Sequence, residues 1–108
     1  MEQIKIKQIK KEESNENLSA AQSYLVLELS AKASPEWNEA FDQNALSAKV
    51  KTFDTAICDG NLIYIKYKKS AKRDEVFTQI EALVNETNQE QNDFNSWIDK
   101  TNARLVAQ

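Results

Sequence analysis

The sequence predicts an α+β fold, with a four-stranded, mainly antiparallel sheet, a short helix and a long C-terminal helix in the order β-β-α-β-β-α. Short runs that alternate between apolar and polar residues indicate the strands. An Asp59-Gly60 pair between two such runs indicates a hairpin. Heptad spacing of apolar residues in the last third indicates the long helix. With 108 residues, we expect one small domain over residues 1–108.

The first half of the chain predicts two strands and one short helix. Residues 4–7 and 24–29 have the alternation of strands, and the charged, amide-rich residues 10–22 predict a polar connection between them. Ser34 is predicted to cap a helix whose first residue is Pro35, because the missing N–H of proline costs nothing there. This helix is expected to end near residue 46.

The centre of the chain predicts a β-hairpin. Residues 49–57 and 62–67 are rich in β-branched and aromatic side chains and are expected to pair as strands. Between them, Asp59-Gly60 predicts a type I′ turn, which needs positive φ at both central residues.

The last third of the chain predicts either one helix or two. Ser70 is the predicted N-cap, and apolar or small residues recur from 77 to 105 at alternating steps of three and four. Residues 85–93 contain no apolar side chain. One interpretation is a single helix of about 36 residues, roughly 54 Å long, which would extend beyond its own sheet. The other is a break near Asn92-Asp93, with residues 93–108 folding back. The unbroken heptad register favours the single helix.

The composition excludes most catalytic chemistry. A chain without histidine has no Ser–His or Cys–His pair. Its one cysteine, Cys58, forms neither an intrachain disulfide nor a cysteine-based zinc site, and one glycine is too few for a phosphate-binding loop. Glu36, Glu39 and Asp42 are spaced along one helix and are interpreted as a solvated face. The sequence therefore predicts a protein that is not an enzyme and holds no metal or cofactor.

The N-terminus and the hydropathy predict a soluble cytoplasmic protein without a membrane partner. Residues 1–7 lack the apolar region of a secretory signal, and no apolar run reaches the length of a membrane span. Glycine, proline and arginine are scarce while lysine, isoleucine and asparagine are common, which is the bias of AT-rich genes and favours a microbial or phage source.

Elimination of catalysis leaves binding as the predicted function. We expect a protein-binding module of the inhibitor or immunity type, which binds and blocks a partner protein. The partner is another protein, or a second copy if the chain is a homodimeric structural protein. The predicted contact residues form an apolar group near the C-terminus: Phe94, Trp97, Ile98, Thr101 and Leu105.

A basic cluster predicts nucleic-acid binding as the alternative function. Lysines give salt-sensitive contacts to phosphate, and tyrosines stack on unpaired bases. Tyr64 and Tyr67 are interleaved with the cluster. A net charge of −3 weighs against this alternative. The predicted nucleic-acid contacts are Lys66, Lys68, Lys69, Lys72 and Arg73.

Overall fold

A computed structural model describes residues 3–19 and 21–107 and contains the six elements in the predicted order. The elements are β1 (Ile6–Ile9), β2 (Gln22–Leu29), α1 (Pro35–Ser47), β3 (Thr55–Asp59), β4 (Leu62–Lys68) and α2 (Arg73–Val106). The four strands form one antiparallel sheet with the strand order β1-β2-β4-β3. The predicted α+β fold class is therefore confirmed.

Both helices pack on the same face of the sheet and enclose the hydrophobic core. Alternate residues of the strands point to this face, as the period of a strand requires. Phe41 of α1 and Ile80 of α2 are fully buried against them. Within residues 3–19 and 21–107, no helix lies on the other face of the sheet. The strand residues of the core are Leu27, Leu29, Ala56, Cys58, Ile63, Ile65 and Tyr67.

Helix α1 begins as the sequence predicts. The Ser34 side-chain oxygen accepts a hydrogen bond of 3.1 Å from the backbone N–H of Trp37, and Pro35 is the first helical residue. The cap satisfies a backbone donor that the first turn leaves unpaired. The start of α1 thereby places Trp37 in the core, where its ring stacks on Phe41 with centroids 5.7 Å apart.

The strand predicted over residues 49–57 is wrong over residues 49–54, because β3 begins only at Thr55. Val50 and Thr52, in the preceding segment, bond to α2 instead of to a strand. Gln79 accepts from the backbone N–H and the hydroxyl of Thr52, and its amide donates to the Val50 carbonyl. The next side chain, Phe53, is buried in the core. Side-chain partners from a distant helix therefore replace a strand ladder that the local composition favours.

The first strand also lies later than predicted. β1 begins at Ile6, two residues after the predicted start, and its pairing with β2 shifts between Ile6 and Gln8. The shift is the mark of a β-bulge, which changes the side-chain alternation on which the prediction depended.

The hairpin is present, but its turn differs from the prediction. Asp59 pairs with Leu62 at the end of the ladder, so the two turn residues are Gly60 and Asn61. Among the described residues only Gly60 has a positive φ, at 64°. A positive φ at the first central residue alone is typical of a type II′ turn, so the predicted type I′ turn is wrong.

Helix α2 is one continuous helix of 34 residues, about 51 Å long. Residues 93–106 therefore extend the helix and do not fold back. Its N-cap is Lys72, which provides no side-chain cap, so the predicted cap at Ser70 is wrong. The polar stretch does not break the helix, because Thr87 and Asn88 are buried and hydrogen-bonded. Thr87 donates to the Leu83 carbonyl over 2.8 Å and accepts from the Asn44 amide.

The second half of α2 protrudes from the rest of the molecule. Asn88 is the last buried residue in the described part of this helix. The principal dimensions are 63 × 28 × 19 Å, and the radius of gyration is 16.3 Å. A compact chain of about 100 residues has a radius of gyration near 13 Å. Across residues 3–19 and 21–107, no helix combines the length and apolar character of a membrane span.

Candidate contact surface on the protruding helix

The predicted contact residues lie together on the protruding half of α2. We call this group the contact stripe. Phe94, Trp97 and Leu105 are 57%, 61% and 54% exposed, which is far more than large apolar side chains keep in a core. The rings of Phe94 and Trp97 stack on each other, with centroids 6.3 Å apart. The contact stripe consists of Phe94, Trp97, Ile98, Thr101 and Leu105.

The contact stripe continues the face by which α2 packs on its own sheet. Ile80, Thr87, Phe94 and Thr101 follow one another at intervals of seven residues, which keeps them on one side of a helix. Ile80 and Thr87 are fully buried. The same face is therefore covered by the sheet and by α1 in the first half of the helix and uncovered in the second.

Asn88 joins α2 by hydrogen bonds to α1 and the N-terminal segment, which together with the sheet we call the body. It lies six residues before the first residue of the contact stripe. Its side-chain oxygen accepts from the Trp37 indole N–H over 3.1 Å and from the Ile4 backbone N–H over 3.3 Å. Its amide donates to the Ile4 carbonyl over 2.7 Å. One side chain thus joins α2, α1 and the N-terminal segment. The sequence analysis did not predict this role. The signal for it was a polar residue directly after Thr87, a heptad position on the core-facing side of the helix.

An open cleft of about 500 Å³ lies beside this junction. Ile4, Trp37 and Asn88 line it on the body side, and Phe94 lines it on the helix side. The first aromatic residue of the contact stripe is therefore adjacent to the body, and the other stripe residues follow along the free part of the helix.

Charges are unevenly distributed along the protruding half. Glu90 and Asp93 precede the contact stripe, while Lys100 and Arg104 lie near the end of the helix. All four residues are exposed. Asp99, which is also exposed, lies beside Lys100, so the protruding half has an acidic beginning and an end that is only weakly basic.

The structure divides the predicted basic cluster into two groups. Lys66 and Lys68 are exposed on the sheet face that carries no helix, whereas Lys69, Lys72 and Arg73 surround the start of α2. Lys69 donates to the Asn17 side chain over 2.7 Å, and Arg73 lies 3.6 Å from a Glu16 carboxylate oxygen. The cluster is therefore not one continuous patch, and an acidic residue partly neutralises one of its groups.

Of the two tyrosines interleaved with the cluster, only Tyr64 faces the lysines. Tyr67 is buried in the core at 5% exposure. Tyr64 stacks instead on Tyr24 of the neighbouring strand, with ring centroids 6.4 Å apart and an interplanar angle of 18°. Partial burial, and then the nearby Tyr64, raise the pKa of Tyr24. The Tyr24 hydroxyl therefore stays protonated at physiological pH.

Cys58 is enclosed in the core and has no features of a reactive thiol. Its thiol donates to the Asn38 side-chain oxygen. Burial, followed by the carboxylates of Asp42 and Asp59, raises the pKa of Cys58 to about 12. A thiol is nucleophilic only as thiolate, so this side chain is inert near neutral pH. No three His, Cys, Asp or Glu side chains within residues 3–19 and 21–107 are grouped as metal ligands would be.

Comparison with family models, curated proteins and solved structures finds no match to the chain.

Proposed function

We propose that the chain is a non-catalytic protein-binding module whose contact element is the protruding half of α2. The observation that carries this proposal is the contact stripe, an exposed apolar and aromatic surface on a helix that leaves its own core. Aromatic side chains supply most of the binding energy when they fill a pocket on a partner. Proteins that act only by contact, such as inhibitors and immunity-type proteins in the cytoplasm of microbes or phage-infected cells, need nothing more.

The rigidity of the helix supports this function. The Asn88 hydrogen bonds fix the orientation of α2 on the body next to the contact stripe. A contact surface that is already ordered loses less conformational entropy on binding than a flexible segment does. The protruding half therefore presents Phe94 and Trp97 at a defined distance and angle from the body.

Retention of a partner by the contact stripe tests the proposal. The wild-type chain, a Trp97→Asp variant and a Ser96→Asp control are immobilised and exposed to a lysate of the cells that produce the chain. We expect the wild type and the control to retain the same partner and Trp97→Asp to lose it, because a buried carboxylate without a partner is costly. Ser96 is the matched control, since it lies one residue away and outside the contact stripe.

Equal retention by all three proteins would contradict the proposal. A monomeric chain that retains no protein would contradict it as well. Circular dichroism establishes that Trp97→Asp remains folded, which we expect because this side chain is 61% exposed.

Binding of single-stranded nucleic acid is the second candidate function, favoured by the open sheet face. There the stacked Tyr24 and Tyr64 rings lie beside Lys66, which pairs directly with Tyr24 across the strands. Neutral aromatic rings stack on bases without sequence preference, and lysines contact phosphates.

A fluorescently labelled oligothymidine tests this second candidate. We expect its affinity to fall steeply with salt, and to fall further on Lys66→Ala or Lys68→Ala, because each phosphate contact releases counterions. Lys11→Ala, in the polar loop outside the predicted basic cluster, is the matched control. Absence of binding at low salt, or equal losses in all three variants, would contradict this function.

A further inference from the structure

We propose that the contact stripe is occupied by the contact stripe of a second copy of this chain, with the two helices antiparallel. The inference rests on the proposed function, because it names the partner of the same surface. Three features of the structure carry it: the position of the body along α2, the charge distribution of the protruding half, and the length of that half.

The body excludes a parallel arrangement. Two helices that pair through the contact stripe must turn the same face toward each other along their whole overlap. In a parallel pair, the faces of both first halves would also meet, but there Ile80 and Thr87 are covered by the sheet and α1 of their own copy. The two bodies would force the helices apart. In an antiparallel pair each body lies beyond the end of the other helix.

Charge complementarity favours the same direction. An antiparallel pair brings the acidic beginning of one protruding half, at Asp93, toward Arg104 near the end of the other. A parallel pair brings like charges together. The helix dipoles also oppose each other in the antiparallel pair, which is the favourable orientation.

The length of the protruding half selects the register. In an antiparallel pair, an a position of one heptad packs against a d position of the opposite helix. Phe94 therefore packs against Leu105 of the second copy, and Ile98 packs against its Thr101. The overlap then runs from residue 93 to residue 106 and stops short of Asn88, the last buried residue of the helix.

In this register Trp97 lies beside Arg104 of the second copy. A guanidinium over an indole ring makes a favourable cation–π contact. All five residues of the contact stripe are then used. A contact of about four turns is small among stable interfaces, so we expect a weak dimer that forms between micromolar and millimolar protein.

Solution mass measured over this concentration range tests the self-association. We expect the mass to rise from 12.3 kDa toward twice that value. Trp97→Asp is expected to raise the dissociation constant about tenfold or more, whereas Ser96→Asp leaves it unchanged. Arg104→Glu is expected to weaken the dimer and Lys11→Glu, with the same charge change in a distant loop, to have no effect. A monomer throughout the range would overturn the inference.

Disulfide cross-linking tests the direction. Ile98→Cys and Thr101→Cys chains are prepared separately, mixed and oxidised. Antiparallel pairing predicts a cross-link between an Ile98→Cys chain and a Thr101→Cys chain, with little cross-linking within either preparation alone. Parallel pairing predicts the reverse and would overturn the arrangement. Cys58 does not interfere, because it is buried.

Failure of this inference can be told apart from failure of the proposed function. A monomeric chain that still loses another captured protein on Trp97→Asp would overturn the second copy as occupant and leave the protein-binding function in place. A monomeric chain whose Trp97→Asp variant behaves as the wild type in every capture would overturn both.

Discussion

Replacement of Phe41 by alanine is expected to lower the free energy of unfolding by about 3–5 kcal/mol. Phe41 has no exposed surface and stacks on Trp37, so its removal leaves a cavity between α1 and the sheet and takes away an aromatic contact. A domain of this size has a total stability of roughly 5–15 kcal/mol, so the loss is a large fraction of the whole. Urea or guanidinium denaturation followed by tryptophan fluorescence measures it.

Leu46→Ala is the matched control for Phe41→Ala, because Leu46 lies on the same helix and is 68% exposed. We expect this substitution to change the free energy of unfolding by less than about 0.5 kcal/mol. Equal losses in the two variants would show that α1 does not pack on the sheet through the face described here.

Replacement of Asn88 by alanine is expected to lower the free energy of unfolding by about 2–4 kcal/mol. Three hydrogen bonds end on this side chain, and their loss leaves the Trp37 indole N–H and the backbone groups of Ile4 without these partners. A buried polar group without a partner costs about 1–3 kcal/mol. Denaturant titration measures the loss, and a double-mutant cycle with Trp37→Phe isolates the contribution of the indole bond.

Asn85→Ala is the control for Asn88→Ala, since Asn85 lies on the same helix and is exposed. Because alanine has the higher helix propensity, we expect this control to be neutral or slightly stabilising. A loss at Asn88 no larger than at Asn85 would contradict the assigned hydrogen bonds. A coupling energy near zero between residues 37 and 88 would contradict the indole bond specifically.

Local signals were sufficient for most of the fold. The Ser34-Pro35 start of α1 is correct because the cap and the first turn involve only neighbouring residues. The heptad steps predict α2 as one helix because a break need not preserve register. Phe94, Ile98 and Leu105 lie on one face of α2 for the same reason, since residues at heptad spacing share a face of a helix.

Predictions failed where distant residues decide the local structure. The segment before β3 is held by Gln79, which lies 27 residues after Thr52, so no local pattern reveals it. The role of Asn88 depends on Ile4, 84 residues away in the sequence. The basic cluster is continuous in the sequence but not in the structure. Adjacent residues of a strand point to opposite faces, so Tyr67 is separated from its neighbours Lys66 and Lys68.

The continuity of α2 has a consequence for how its free end becomes helical. The first hydrogen-bonded turn is the costly step of helix formation, and peptides shorter than about 12–15 residues are marginal helices in water. In this chain the buried turns up to Asn88 supply that nucleus, so residues beyond them add one hydrogen bond each without a nucleation cost. The helicity of residues 92–106 therefore depends on the body, and the same residues in an isolated peptide would be largely non-helical.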